Sequence, residues 1–103
     1  MLFDAWAMVC YNPSMFTLWG KLYKNNRLIA DLTVQDPSGE TRTHKVFAAL
    51  DAVCLQFDLS RPIWLESNIT EFRRRSRTRF GRDNFIEDIP FDYLEIQIIE
   101  EDD

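Results

Sequence analysis

The sequence predicts an α+β domain, mainly an antiparallel sheet of about four strands with two helices on one face. Three observations lead to this prediction. The first third of the chain has the pattern of β-strands, and apolar and polar residues alternate cleanly in its last part, at residues 27–35. They alternate again at residues 93–99, which we expect to return as an antiparallel strand. Between these stretches, apolar residues recur with the period of a helix. The 103 residues suffice for a single domain, 1–103, with a short acidic tail at 100–103.

Three strands of a meander are predicted first. In residues 2–10 both sets of alternate side chains are apolar, a pattern typical of a strand that is covered on both faces. Residues 15–24 form a second strand, whose central glycine indicates a bulge or close packing. Asn25 and Asn26 suit a two-residue hairpin, because asparagine tolerates the positive φ angles of such a turn. Residues 27–35 then alternate strictly, so we expect one buried and one exposed face.

The next two elements are predicted to be helices. An apolar stripe over residues 46–57 has helical spacing, and Thr41 or Thr43 is the expected N-terminal cap. The stripe consists of Val46, Phe47, Leu50, Val53, Cys54 and Phe57. Asn68 and Glu71 have the spacing of a capping box, which predicts a second helix that frays among the arginines after it.

The start of the chain does not fit a targeting signal. Its apolar residues have no basic region before them and include Asp4, unlike a secretory signal peptide. No apolar run approaches the roughly 20 residues that cross a bilayer. We therefore expect a cytoplasmic protein without a membrane partner, in which Cys10 and Cys54 are reduced and buried.

Residues with catalytic or metal-binding chemistry are few. His44 is the only histidine, and on one continuous helix it would lie about 15 Å from Cys54, beyond the reach of a base. Spacing alone does not exclude a pair of Cys10 and His44. Two cysteines and one histidine without close spacing do not fit a zinc site, and the three glycines form no phosphate-binding loop. We expect no cofactor, no metal and no catalysis, and leave open an enzyme without a local motif.

The most distinctive feature is a group of six arginines within residues 73–82. The group comprises Arg73, Arg74, Arg75, Arg77, Arg79 and Arg82. If the stretch is extended, the odd-numbered arginines from 73 to 79 form one row, because side chains alternate along a strand. If the stretch is helical, the same arginines divide between two sides.

The distribution of charge favours pairing of these arginines with carboxylates. Residues 83–103 hold nine acids and no base, and the net charge of the chain is -5. Arginine also binds phosphate and stacks on bases, so a nucleic-acid role is the alternative. An acidic segment directly after the arginines instead indicates charge pairing within the chain or between subunits, or with an acidic protein partner.

Aromatic residues of the first two strands are the candidate interface, namely Trp6, Trp19 and Tyr23. Both strands carry apolar side chains on both faces, and two helices cover only one face of a sheet. Aromatic side chains are enriched at interfaces, so we expect a homodimer that buries the other face.

The whole chain resembles a set of short uncharacterised bacterial proteins. The resemblance is carried by "LWGKLYKNNRLI", "RPIWL", an arginine-bearing "EFRR" to "RF" stretch, "DNFIE" and "FDYLEIQIIE". These motifs are patterns of packing and turn residues, and they imply no activity, cofactor or site residue. We therefore predict a small, non-catalytic binding or accessory protein that forms a homodimer, with a small nucleic-acid-associated protein as the alternative.

Overall fold

The protein is an α+β domain, seen in a computed structural model that describes residues 15–101. The elements are β1 (Phe16–Lys24), β2 (Arg27–Asp36), α1 (Arg42–Gln56), α2 (Glu66–Arg75), β3 (Arg77–Phe80), a single 3-10 turn (Arg82–Asn84) and β4 (Tyr93–Glu101). The predicted fold class is confirmed: two helices pack on a four-stranded antiparallel sheet of order β2-β1-β4-β3. The strand expected at residues 2–10, with Trp6 and Cys10, lies outside the described residues.

The hairpin and the returning strand follow the sequence prediction. Asn25 and Asn26 connect β1 to β2 with φ angles of 53° and 65°, the left-handed values that the turn requires. The C-terminal strand β4 pairs antiparallel with β1 and with β3. The remaining strand of the described sheet, β3, lies within the arginine group. The sequence had left that stretch open between an extended and a helical conformation.

One face of the sheet forms the core with the helices. The buried residues on this face include Phe16, Leu18, Leu22, Phe80, Leu94 and Ile96, which pack with Val46, Leu50 and Val53 of α1. A Cβ atom on Gly20 would lie 2.8 Å from both γ-carbons of Val53, so α1 sits directly on the backbone of β1. The glycine therefore marks close packing, while the irregularities of β1 fall on either side of it, at 17/18 and 22/23.

The two helix starts differ in how well the sequence predicted them. Thr41 caps α1, and its hydroxyl accepts a hydrogen bond from the His44 backbone N–H at 3.3 Å. The cap predicted for α2 is wrong, because α2 begins at Glu66 and Asn68 lies inside its first turn. The Asn68 side chain is 5% exposed and makes four hydrogen bonds, one of them accepted from the Leu65 backbone N–H at 3.0 Å.

Candidate binding surfaces

The arginine group is divided between a helix and a strand. Arg73, Arg74 and Arg75 form the last turn of α2, and Ser76 ends the helix in the left-handed conformation, with φ 56°. The chain then reverses into β3, which carries Arg77. Neither a continuous row nor a continuous helix describes the group. The helical alternative holds before Ser76 and the extended alternative holds after it.

The face of the sheet opposite the helices, here called the open face, carries one row of charges across all four strands. Asp31, Lys21, Glu95 and Arg79 are register neighbours in that order. Lys21 Nζ and Arg79 Nε each lie 2.9 Å from a carboxylate oxygen of Glu95. Asp31 accepts a hydrogen bond from Trp19 Nε1 at 2.9 Å. Two carboxylates and two cations thus make the row neutral in sum, and three of them, Lys21, Glu95 and Arg79, pair directly.

Glu95 is ionised although it is buried. Burial alone would raise the pKa of this carboxyl. The hydrogen bonds and the positive charges of Lys21 and Arg79 together outweigh that effect, so the pKa of Glu95 is lowered from its ordinary value. Both Lys21 and Glu95 are almost fully buried, with 6% and 5% of their surface exposed, so each depends on the other for its charge to be tolerated.

The aromatic residues of the open face have partners within the chain. Lys21 Nζ lies 4.1 Å from the ring centre of Trp19, and the Arg79 guanidinium lies 4.5 Å from that of Tyr93. Tyr23 stacks on Tyr93 with ring centres 5.0 Å apart. The structure thus brings the predicted interface residues Trp19 and Tyr23 to one face, where both are half-buried. Trp6 lies outside the described residues.

Charge pairing with the acidic segment engages only one of the six arginines. Arg79 pairs with Glu95, whereas the other five make no ion pair with any residue from 15 to 101. All five are exposed. Four of them lie close together in sequence on either side of Ser76, and we call them the basic surface: Arg73, Arg74, Arg75 and Arg77. Arg75 and Arg77 also line a polar cleft of about 240 Å³ with Glu71, Thr78, Arg79 and Glu95.

An exposed acidic loop at residues 83–88 follows the arginines. Asp83 and Asp88 make no ion pair within the described part of the chain, and Glu87 accepts a hydrogen bond from Ser60 at 2.6 Å. Ile86, between these carboxylates, is 88% exposed. The loop is held at its base, because the side chains of Asn84 and Phe85 are buried.

A buried polar network holds this loop to α2. Asn84 Nδ2 donates to Asn68 Oδ1 at 2.7 Å and to the Ile63 carbonyl at 2.8 Å. Asn68 Nδ2 donates to the Thr78 hydroxyl at 2.9 Å, and that hydroxyl donates to Glu71 at 2.8 Å. The position of the acidic loop is therefore fixed relative to the basic surface.

An apolar groove of about 270 Å³ lies between α1 and α2. It is lined by Arg42, Thr43, Val46, Phe47, Trp64, Ile69, Phe72 and Arg73. Phe47, part of the predicted apolar stripe, is 44% exposed and forms part of the lining. Trp64 packs edge-on against Phe47 at 5.9 Å, and its buried Nε1–H has no acceptor among residues 15–101. Arg42 Nε already lies 2.7 Å from Glu101, so Arg73 is the lining arginine that has no ion pair among these residues.

The cysteine and histidine considered for catalysis remain apart along α1. Cys54 is buried, and its burial, together with the Asp51 carboxylate, raises the pKa of the thiol to about 11. His44 is exposed at the other end of the helix, with Nδ1 3.2 Å from Glu40.

Among residues 15–101, no three His, Cys, Asp or Glu side chains are grouped to hold a metal ion. No helix in this part of the chain is long and apolar enough to span a membrane.

Sequence reasoning missed Ile86 and the groove residue Arg42, and it singled out Trp64 as an aromatic of the core or an interface without placing it in a groove. A signal for Ile86 was available, since it is an isoleucine followed directly by two acids and lies outside any periodic pattern. The groove had no local signal, because it forms only where two helices meet.

Comparison with models of protein families, with curated proteins and with solved structures finds no match for this chain.

Proposed function

We propose that this protein acts by binding, without catalysis, and works as a homodimer whose basic surface meets the acidic loop of a second copy. The observation that supports this most strongly is the exposed basic surface, which makes no ion pair with residues 15–101. The same chain presents a second exposed surface of opposite sign, at Asp83 and Asp88. A cytoplasmic location is part of the proposal, and the free thiol of Cys54 is compatible with a reducing compartment.

Two-fold symmetry makes such an arrangement efficient. In a two-fold dimer, each contact between surface i and surface j occurs twice, so one complementary pair of surfaces gives two contacts. Each exposed ion pair contributes only about 0 to 1 kcal/mol, so several must act together. Salt screens exposed charges beyond roughly 8 Å at physiological ionic strength, so the dimer should weaken as salt is added.

Sedimentation velocity tests the proposal. At low salt and micromolar concentration we expect twice the 12.2 kDa mass of the chain, and dissociation at high salt. Arg74→Glu/Arg77→Glu should be a folded monomer, because neither arginine has an ion-pair partner among residues 15–101 whose loss would destabilise the chain itself. The control is Lys24→Glu/Arg27→Glu, the same change of charge at the β1–β2 hairpin, which should remain dimeric. A monomer at every concentration, or a dimer indifferent to the reversal, would remove the proposal.

A second candidate function is binding of nucleic acid. The observation in its favour is that Arg77 shares the open face with Trp19, Tyr23 and Tyr93, a combination that suits single strands. Against it, cations already lie on two of these rings, and Glu95 neutralises part of the same face. We therefore rank it second. Binding of an acidic protein of different sequence would use the same basic surface and is an outcome of the tests.

A further inference from the structure

The apolar groove and the acidic loop complement each other in chemistry. The groove is apolar inside and has Arg73, which has no ion pair with residues 15–101, at its edge. The loop projects one apolar side chain, Ile86, with Glu87 and Asp88 directly after it. Ile86 is 88% exposed, so it does not occupy the groove of its own chain.

We propose that Ile86 of one copy docks in the apolar groove of the other, with a carboxylate of the acidic loop on Arg73. This inference rests on the proposed homodimer and specifies its central contact. Docking removes the apolar surface of both Ile86 and Phe47 from water, which is the main driving force of association. The charges at the edge then fix the orientation of the contact.

The loop is suited to this role because it is already ordered. Phe85, directly before Ile86, is 8% exposed and packs edge-on against Phe91 with ring centres 5.8 Å apart. Asn84 is held by the buried polar network. Presenting Ile86 to a partner therefore costs little conformational entropy, and low ordering cost favours affinity.

Leu55 is the matched control for Ile86. It is 83% exposed, so the two side chains are comparable in exposure and hydrophobicity. Leu55 lies in the last turn of α1, whereas the groove residues of that helix lie in its first turns. Asparagine at either position removes the apolar side chain without changing the charge. We expect Ile86→Asn to raise the dimer dissociation constant about tenfold or more, and Leu55→Asn to leave it unchanged.

A spin-label experiment tests the contact itself. A nitroxide is attached at Ile86→Cys in a Cys10→Ser background, and this chain is mixed with ¹⁵N-labelled wild type. Only contacts between copies can then broaden the ¹⁵N signals. We expect broadening of the Trp64 indole N–H signal, which is assigned from its loss in Trp64→Phe. A nitroxide at Leu55→Cys should leave that signal sharp.

The outcomes distinguish a failure of the Ile86 contact from a failure of the proposed homodimer. If the wild type is a monomer throughout, both fail. If it is a dimer whose dissociation constant is unaffected by Ile86→Asn and whose Trp64 signal stays sharp, the homodimer stands and the docking of Ile86 is wrong. Broadening by the label at position 55 alone would place another segment of the second copy in the groove and would also overturn it.

Discussion

Glu95 is the carboxylate that joins the two cations of the open face. Its carboxylate holds two cations, and Lys21 has almost no access to water. Glu95→Gln should cost about 3 kcal/mol in the free energy of unfolding, the lower end of the range for removing one partner of a buried pair. Lys21→Met should cost less, because Arg79 remains paired with Glu95. Urea unfolding at pH 7 measures both, and equal costs would contradict this account.

The pKa of Glu95 predicts a dependence of stability on pH. Because its pKa is lower in the folded chain than in the unfolded chain, the ionised carboxylate stabilises the fold above the ordinary value of 4.5. That stabilisation is lost as the pH falls through the folded pKa. We expect the wild type to lose more stability than Glu95→Gln between pH 7 and pH 3, as measured by urea unfolding. Parallel pH profiles would show that Glu95 contributes nothing to acid sensitivity.

Cys54 should be chemically inert in the folded protein. With the pKa of its thiol raised to about 11, roughly one thiol in ten thousand is ionised at pH 7. In a Cys10→Ser background, we expect iodoacetamide to modify Cys54 at least about a hundredfold more slowly than free cysteine, because the thiolate is the reactive form. Mass spectrometry follows the reaction. Modification as fast as that of free cysteine would reopen the enzyme alternative.

At the scale of the elements, α1 packs closely on the backbone of β1 at Gly20. Gly20→Ala places a methyl group against Val53 and should destabilise the protein by about 1 to 3 kcal/mol. In a Val53→Ala background the same change should cost clearly less, because the γ-carbons that it meets are gone. Thermal or urea unfolding of the wild type, the two single variants and the double variant gives the coupling free energy between the two positions. Additive costs would mean that the two residues do not meet.

Strands and helices with a regular apolar pattern could be predicted from the sequence. Features that depend on contacts between elements, such as the start of α2, could not. Alternation identified β2 and β4, the Asn25-Asn26 pair gave the turn, and the apolar stripe gave α1. The N-terminus of α2 was misplaced because Asn68 has the chemistry of a cap. Its amide is used instead by Asn84 and Thr78, which the sequence places 16 and 10 residues away.

At the scale of the whole molecule, the sequence showed which segments carry charge but not which charges form ion pairs. The arginine group and the acidic segment are visible in the sequence. That Glu95 meets Lys21 and Arg79 follows from the register of β4 against β1 and β3. Such long-range register has no local signal. The sequence therefore identified the arginine group and the acidic segment but could not show that four neighbouring arginines stay exposed.

Nucleic acid should not bind tightly to this protein. The net charge is -5, and the open face has engaged rings and a neutralised charge row. In a mobility-shift assay with mixed-sequence DNA and RNA at low salt, we expect no complex at micromolar protein. A micromolar complex that weakens with salt by about 0.7 to 0.9 log units per phosphate contact would establish the second candidate function, provided that an equally stable Arg74→Glu/Arg77→Glu loses it.

The central claim is that the basic surface of one copy pairs with the acidic loop of another. Reversing the charge of each surface in a separate variant, and then mixing the two variants, tests this claim most directly. One variant carries Arg74→Glu/Arg77→Glu, and the other carries Asp83→Lys/Asp88→Lys. Either variant alone places like charges together at both contacts of a two-fold dimer. In an equal mixture, both contacts become complementary again.

Sedimentation velocity of the two variants and of their mixture gives the answer, with thermal melts to confirm that both are folded. We expect each variant to sediment as a monomer where the wild type is a dimer, and the mixture to form a one-to-one heterodimer. Folded variants that remain monomeric when mixed, beside a dimeric wild type, would contradict the claim.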